Sequence, residues 1–150
     1  MRAIIQRVSN ASVSVSEKVC GAINQGLMIL IGIEESDGQE DVDWLTRKIA
    51  GLRIFADADG KMNQSVCEIN GQVLVVSQFT LHASTKKGTR PSFIRAARPE
   101  HAVPLYEGFV KAMNELVDSP VETGEFGADM QVTLTNDGPV TIWIDTKNKS

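Results

Sequence analysis

Only two cysteines occur in the 150 residues, Cys20 and Cys67, and they do not form a Cys-x-x-Cys pair. Two such thiols cannot complete a metal site by themselves and can make at most one bridge, which excludes a disulfide scaffold and a thiolate zinc centre. No segment reaches the ~18 consecutive apolar residues of a membrane-spanning helix. The opening Met1–Val8 carries Arg2 and Arg7 and lacks an apolar run of signal-peptide length. The expectation is a reducing, cytoplasmic setting with both thiols free and no membrane partner. In that setting the glycosylation matches Asn10-Ala-Ser12, Asn63-Gln-Ser65 and Asn148-Lys-Ser150 have no meaning. Histidine is equally scarce: His82 and His101 are distant in sequence from each other and from either cysteine. GxSxG, HExxH, a Walker loop and a GxGxxG after a strand are all missing, so the expectation is no metal and no cofactor.

What is present is ordinary for a folded chain. A hydrophobic fraction of 42% and a charged fraction of 23% exclude disorder, collagen and coiled coil. The length predicts a single domain over 1–150, large enough to bury roughly 68–70% of its unfolded surface. A net charge of −4 argues against a protein that coats nucleic acid indiscriminately.

Period-two patterns predict short strands at Ala3–Val8 and Ala11–Ser16, with Val19–Ile23 pairing across a turn at Glu17-Lys18. Gly26–Ile33 is apolar on both faces, the pattern of a central strand covered on both sides. In Glu40–Ile54, Val42, Leu45, Ile49 and Leu52 recur at helical spacing, with Asp41 and Asp43 early and Arg47 and Lys48 late, as the helix dipole favours. Ala56–Gly60 reads as a turn. It resembles a calcium loop, but aligning its glycine puts Phe55 and Val66 at ligand positions, so calcium is rejected. Gln72–Phe79 is a second apolar strand. His101–Val117 is a helix striped by Leu105, Phe109, Met113 and Leu116, with Pro104 expected in its first turn. Gln131–Thr135 and Val140–Ile144 are expected strands joined by a turn at Asn136-Asp137-Gly138. The class is therefore mixed α and β, with short connections that suggest antiparallel pairing.

Three segments could carry chemistry. Between His82 and His101, Lys86, Lys87, Arg90, Arg95 and Arg98 face Glu100 alone, a basic patch on an acidic chain. Such a patch suits an RNA phosphate backbone or a solvated loop that pairs with nearby acids. Phe93 inside it suits stacking on a base or anchoring to the core. Ser77–His82 follows the second buried strand. If it stays extended, Gln78, Thr80 and His82 share one side, and Thr80 with His82 could act as nucleophile and base. Asn136-Asp137-Gly138-Pro139 reads as a hairpin turn, although Pro139 removes a backbone donor where the next strand should start.

Taken together, these segments resemble the D-aminoacyl-tRNA deacylase family. The resemblance spans Met1 to about Asp145. It rests on Met1-Arg2-Ala3-Ile4-Ile5-Gln6-Arg7-Val8, Ser77-Gln78-Phe79-Thr80-Leu81, Arg90-Pro91-Ser92-Phe93 and Asn136-Asp137-Gly138-Pro139-Val140-Thr141. It implies an α+β fold of mostly antiparallel sheets forming a barrel-like core with two main helices. It also implies a homodimer that hydrolyses the ester of D-aminoacyl-tRNA, and of glycine mischarged on the alanine tRNA, without metal or cofactor. The expected catalytic segment is Ser77, Gln78, Phe79 and Thr80. The backbone N–H groups of Ser77 and Phe79 would stabilise the oxyanion, the tRNA 2′-hydroxyl would assist, and Thr80 would line the pocket. Gly138 and Pro139, joined by a cis peptide, would enter the other subunit's pocket and exclude L-amino acids by bulk. Arg7 would pin that loop, while Phe126 and Met130 would meet the substrate. Lys86, Lys87, Arg90 and Arg95 would hold tRNA, and His82 is given no catalytic part. Two rival readings stay open: a nucleic-acid-binding module without catalysis, and a D-amino-acid ester hydrolase that ignores RNA.

Overall fold

In the computed structural model, which describes residues 1–150, the first fifteen residues make one strand where two were expected. This strand, β1 (Arg2–Val15), stays unbroken because β8 (Met130–Asp145) pairs antiparallel along its whole length, from Arg2 opposite Asp145 to Val15 opposite Met130. On its other edge β1 meets two strands in succession. Its second half pairs with β2 (Lys18–Ile23) across a turn in which Ser16 and Glu17 take positive φ, one residue earlier than expected. Its first half pairs with β3 (Gly26–Gly32).

The chain then forms α1 (Gln39–Gly51), a small ribbon of β4 (Phe55–Ala56) and β5 (Met62–Gln64), β6 (Gln72–Ser77), α2 (Pro99–Leu116) and β7 (Glu122–Thr123). The main sheet runs β2-β1-β3-β6-β7, with β8 added on β1. The β3–β6 and β6–β7 pairings are parallel, so the sheet is mixed. Each of those connections passes through a helix, which returns the chain to the end it left. The outer strands β2 and β7 nearly close the sheet into a barrel. At that seam Gly21 is needed, because a Cβ there would sit 2.8 Å from the Thr123 carbonyl.

Alternation along the central strands builds two apolar clusters. Leu27, Ile29 and Ile31 of β3, with Val73 and Val75 of β6, face Val42, Leu45 and Ile49 of α1 and Phe109 and Met113 of α2. Met28, Leu74 and Val76 face the other way and pack with Val8, Ala11, Val13 and Ile23 inside the barrel. This is the two-sided burial that the apolar run of β3 predicted. α1 stops at Gly51, short of the expected Ile54, and Leu52 is already extended. α2 starts two residues early because Pro99 fits the first helical position. Pro104 lies in the second turn, on an exposed face of the helix.

A buried polar clamp ties the start of β1 to the end of β8. The Met1 ammonium donates to Asp37 and to Thr146 Oγ1. Thr146 N–H donates to the Met1 carbonyl, and Lys147 Nζ lies 3.2 Å from Asp41 Oδ2. Asp41 also accepts from Gly38 N–H at the head of α1. Burial disfavours the Asp41 carboxylate, but hydrogen bonds from Thr146, Gly38 and Lys147 outweigh it and hold the pKa below the ordinary 3.8. Asp145 is also lowered: burial again opposes ionisation, and the Lys147 N–H and Arg2 overcome it. Folded values below the unfolded one mean stabilisation that is complete above the unfolded pKa and is lost as pH falls through the folded one. We expect the urea midpoint to fall below about pH 4, and to fall less steeply in Asp41→Asn. An Asp41→Asn curve parallel to the parent's would refute the clamp's part in acid stability.

Candidate active site

β6 ends at Ser77 because β3 ends beside it, and Gln78 N–H makes the last parallel bond, to the Ile31 carbonyl at 2.8 Å. The chain then coils into a 3-10 turn over Phe79–His82, closed by Leu81 N–H on Gln78 and Ala83 N–H on Thr80. The extended reading of Gln72–Phe79, with Gln78, Thr80 and His82 on one side, is therefore corrected. Thr80 is exposed and its Oγ1 accepts from Gln78 Nε2, whereas His82 is buried on the far side of the turn. The nucleophile–base pair does not exist. Arg2 Nη1 donates to the Leu81 carbonyl at 2.8 Å and fixes the turn from outside. Phe79 opens the turn, so its N–H has no partner within the turn.

This turn borders a cavity of about 540 Å³, mostly apolar. Ser77, Gln78, Phe79, Phe126 and Met130 all line it, so five expected site residues from distant segments converge. The size suits a small organic ligand. Phe126 rests against Tyr106, with ring centroids 5.6 Å apart. Tyr106 donates to the Val75 carbonyl, and burial pushes its phenol up to about 12. Phe93 meets Phe79 edge-on at 5.1 Å, and both remain part-exposed at the rim. Phe93 does not anchor the loop to the core; it packs on the other aromatic at the mouth and keeps part of its ring exposed.

Gly138 and Pro139 form a second group outside that cavity's own wall. They do not make a hairpin. Gln6 pairs with Thr141 and Val8 with Asn136, so the four residues Asp137–Val140 bulge out opposite Arg7 alone. The Gly138-Pro139 bond is cis. Arg7 holds the bulge: its Nε donates to the Asp137 carbonyl at 3.0 Å, and its Nη1 to the Ile54 carbonyl at 2.7 Å. Asn136 Oδ1 accepts from Val140 N–H across the base. Gly138 has φ +128°, and a Cβ there would lie 2.8 Å from Arg7 Nη2.

The basic residues divide. Lys86, Lys87 and Arg90 stand exposed on a loop closed by paired hydrogen bonds between Ser84 and Ser92. Arg95 is also exposed but lies 3.4 Å from Glu34. The Ala97 N–H on the Ile33 carbonyl and the Arg98 N–H on Glu35 complete the docking of this segment. Sequence reading missed Glu34 and Glu35, and it missed Ala96, Ala97, Ala102 and Ala128 on the cavity wall. Small apolar walls carry no chemical signature, and the two glutamates sit in a turn that looked only like a break.

A family described as D-Tyr-tRNA(Tyr) deacylase matches residues 4–145. The chain belongs to that family. It is similar to proteins named D-aminoacyl-tRNA deacylase from Akkermansia muciniphila, at 64% identity, and Bacteroides fragilis, at 61%, each match covering 99% of both chains. A solved structure named c-Myc DNA Unwinding Element Binding Protein superimposes with a TM-score of 0.92 at 39% identity, covering 97% of this chain and 99% of that one. A probable eukaryotic D-amino acid tRNA deacylase shares the fold, with a TM-score of 0.81 at 17% identity over 95% and 97% of the two chains.

For the bulge, Gly138→Ala must accommodate both a positive φ and a methyl against Arg7. It should lose about 1–3 kcal/mol, read from the urea midpoint. A midpoint equal to the parent's would show that Arg7 does not confine this backbone.

Proposed function

We propose that the protein hydrolyses the ester linking a D-amino acid to the 3′ end of tRNA, and also releases glycine mischarged on the alanine tRNA. The observation that carries this is the convergence of Ser77, Gln78, Phe79, Phe126 and Met130 on one cavity, in a chain that belongs to a deacylase family. The enzyme works as a homodimer in the cytoplasm, and neither metal nor cofactor takes part.

The residue types support a route. Water attacks the carbonyl carbon, the bond to the ribose 3′ oxygen breaks, and that oxygen leaves with a proton. Negative charge on the carbonyl oxygen is stabilised by the Ser77 and Phe79 N–H groups. Loss of one such donor typically costs ~10²–10³ in rate. The tRNA 2′-hydroxyl assists at the reacting ester, and Thr80, exposed on the turn that borders the cavity but not on the cavity wall itself, has a pocket role with substrate bound rather than that of a nucleophile. Met130 and Phe126 also line the cavity.

Chirality is read by exclusion. Both isomers carry the same groups, so attraction alone discriminates poorly and a clash discriminates well. In this reading the Gly138-Pro139 bulge of one subunit enters the cavity of the other. Its carbonyl oxygens, together with backbone near Phe126, hold the α-ammonium. With ammonium and ester fixed, an L side chain meets main chain, a D side chain meets open space, and glycine passes either way. Arg7, Asn136 and the fixed φ of Pro139 support this wall's stiffness. A wall of main chain is indifferent to which side chain the substrate carries.

Matched D- and L-tyrosyl-tRNA decide the matter. Free tyrosine should be released from the D form and not from the L form. Binding of both without release would favour a nucleic-acid-binding module, a reading to which the DNA-binding name of the 39%-identical structure lends weight. Equal turnover of a D-tyrosyl ester lacking RNA would favour a simple ester hydrolase. Lys86 and Lys87 on the exposed loop supply the RNA contact in this account. Reversing both charges should raise KM for tRNA and lower the slope of log KM against log salt by about 1–2. A KM unchanged at low salt would move the RNA contact elsewhere.

A further inference from the structure

Glu34 lies one residue beyond Ile33, where the central sheet, the 3-10 turn and the basic segment meet, and its side chain is mostly buried. One of its oxygens, Oε2, lies 3.4 Å from Arg95 Nη2 and 3.5 Å from His82 Nδ1. The two neighbours differ sharply. Arg95 is 59% exposed and belongs to the basic segment. His82 has no exposed side chain, terminates the turn that carries Phe79 and Thr80, and makes no close hydrogen bond at either ring nitrogen, meeting only the Gly32 backbone and Glu34 at longer range. A buried polar group without a partner is unusual and costs free energy.

We propose that Glu34 is a shared carboxylate coupling the basic segment to the catalytic turn: when an RNA phosphate takes Arg95, Glu34 closes on His82, which binds a proton from solvent. This rests on the reading that the basic segment meets RNA. His82 is then a positioning residue. As an imidazolium hydrogen-bonded to Glu34 it anchors the end of the turn whose first residue, Phe79, borders the cavity.

Charges from every packed element set the balance. Burial is the largest influence and holds His82 below the ordinary 6.5. The Gly32 backbone, at the end of β3, and Glu34, two residues beyond it, favour the proton. Arg2 of β1 and the Met1 ammonium oppose it. Arg95 competes for the carboxylate. Removing Arg95 from Glu34 therefore raises the affinity of His82 for a proton. Linkage makes this reciprocal: RNA binding should tighten as pH falls through the His82 titration.

Histidine-labelled protein tests this by NMR, since the chain holds two histidines and His82→Gln assigns the resonances. Arg95→Ala, without RNA, should raise the His82 midpoint by roughly one pH unit. In a Glu34→Gln background the same change should have little effect, because the carboxylate that carries the coupling is gone. Acceptor-stem RNA added to the parent should raise the midpoint in the same direction. An unmoved midpoint in Arg95→Ala, or an equal shift with and without Glu34, overturns the coupling. RNA that binds, as read from its own titration, yet leaves His82 unmoved also overturns it. RNA that fails to bind refutes the functional reading, while the RNA-free comparison still decides whether Glu34 is shared.

Discussion

The contact between Arg7 and the carbonyls of Asp137 and Ile54 is the constraint on which the rest depends. β1 and β8 pair over almost their full lengths, so an insertion of three residues would be expected to flop. A guanidinium offers several donors in a rigid plane, and here it ties the inserted backbone to the strand on one side and to the chain after α1 on the other. The bulge is thereby an outgrowth of the sheet rather than a loop. A site built on such an element is held more tightly than one built on a free turn.

The cavity depends on a different piece of backbone logic. Parallel pairing delivers β6 beside β3, and when β3 runs out the chain must leave the sheet. It does so through the 3-10 turn, which places Phe79 at the cavity's edge and buries His82 behind it. Glu34 and Glu35 then dock the following segment against the same strand end and bring Phe93 onto Phe79. Electrostatics and aromatic packing thus finish a site that strand termination begins.

Much of this was legible in the residues, for identifiable reasons. The double-sided apolar run of Gly26–Ile33 and the stripe of α2 reported their burial directly, because those patterns follow from strand and helix geometry. Asn136–Pro139 misled as a hairpin because local turn chemistry competes with long-range pairing, and only the partner strand shows that the chain continues in the same direction. The Ser77–His82 segment misled for a related reason: nothing local announces where a neighbouring strand stops. The parallel pairings were invisible, since they depend on which way two helical connections return. Motif resemblance brought Ser77–Phe79, Phe126 and Met130 to one place before their spatial convergence could be seen, but it had no information about Glu34, whose role arises from its neighbours.

The account's central claim is spatial: a stiff stretch of one subunit's main chain stands against the substrate's Cα in another's cavity. A crystal structure with D-tyrosine joined to 3′-amino-adenosine through a non-hydrolysable amide tests it most directly. The account predicts the amino acid in the cavity bounded by Ser77, Phe79 and Phe126, with its ammonium hydrogen-bonded to the carbonyl of Gly138 of the partner subunit. A ligand seated there while every Gly138-Pro139 pair faces solvent would contradict it.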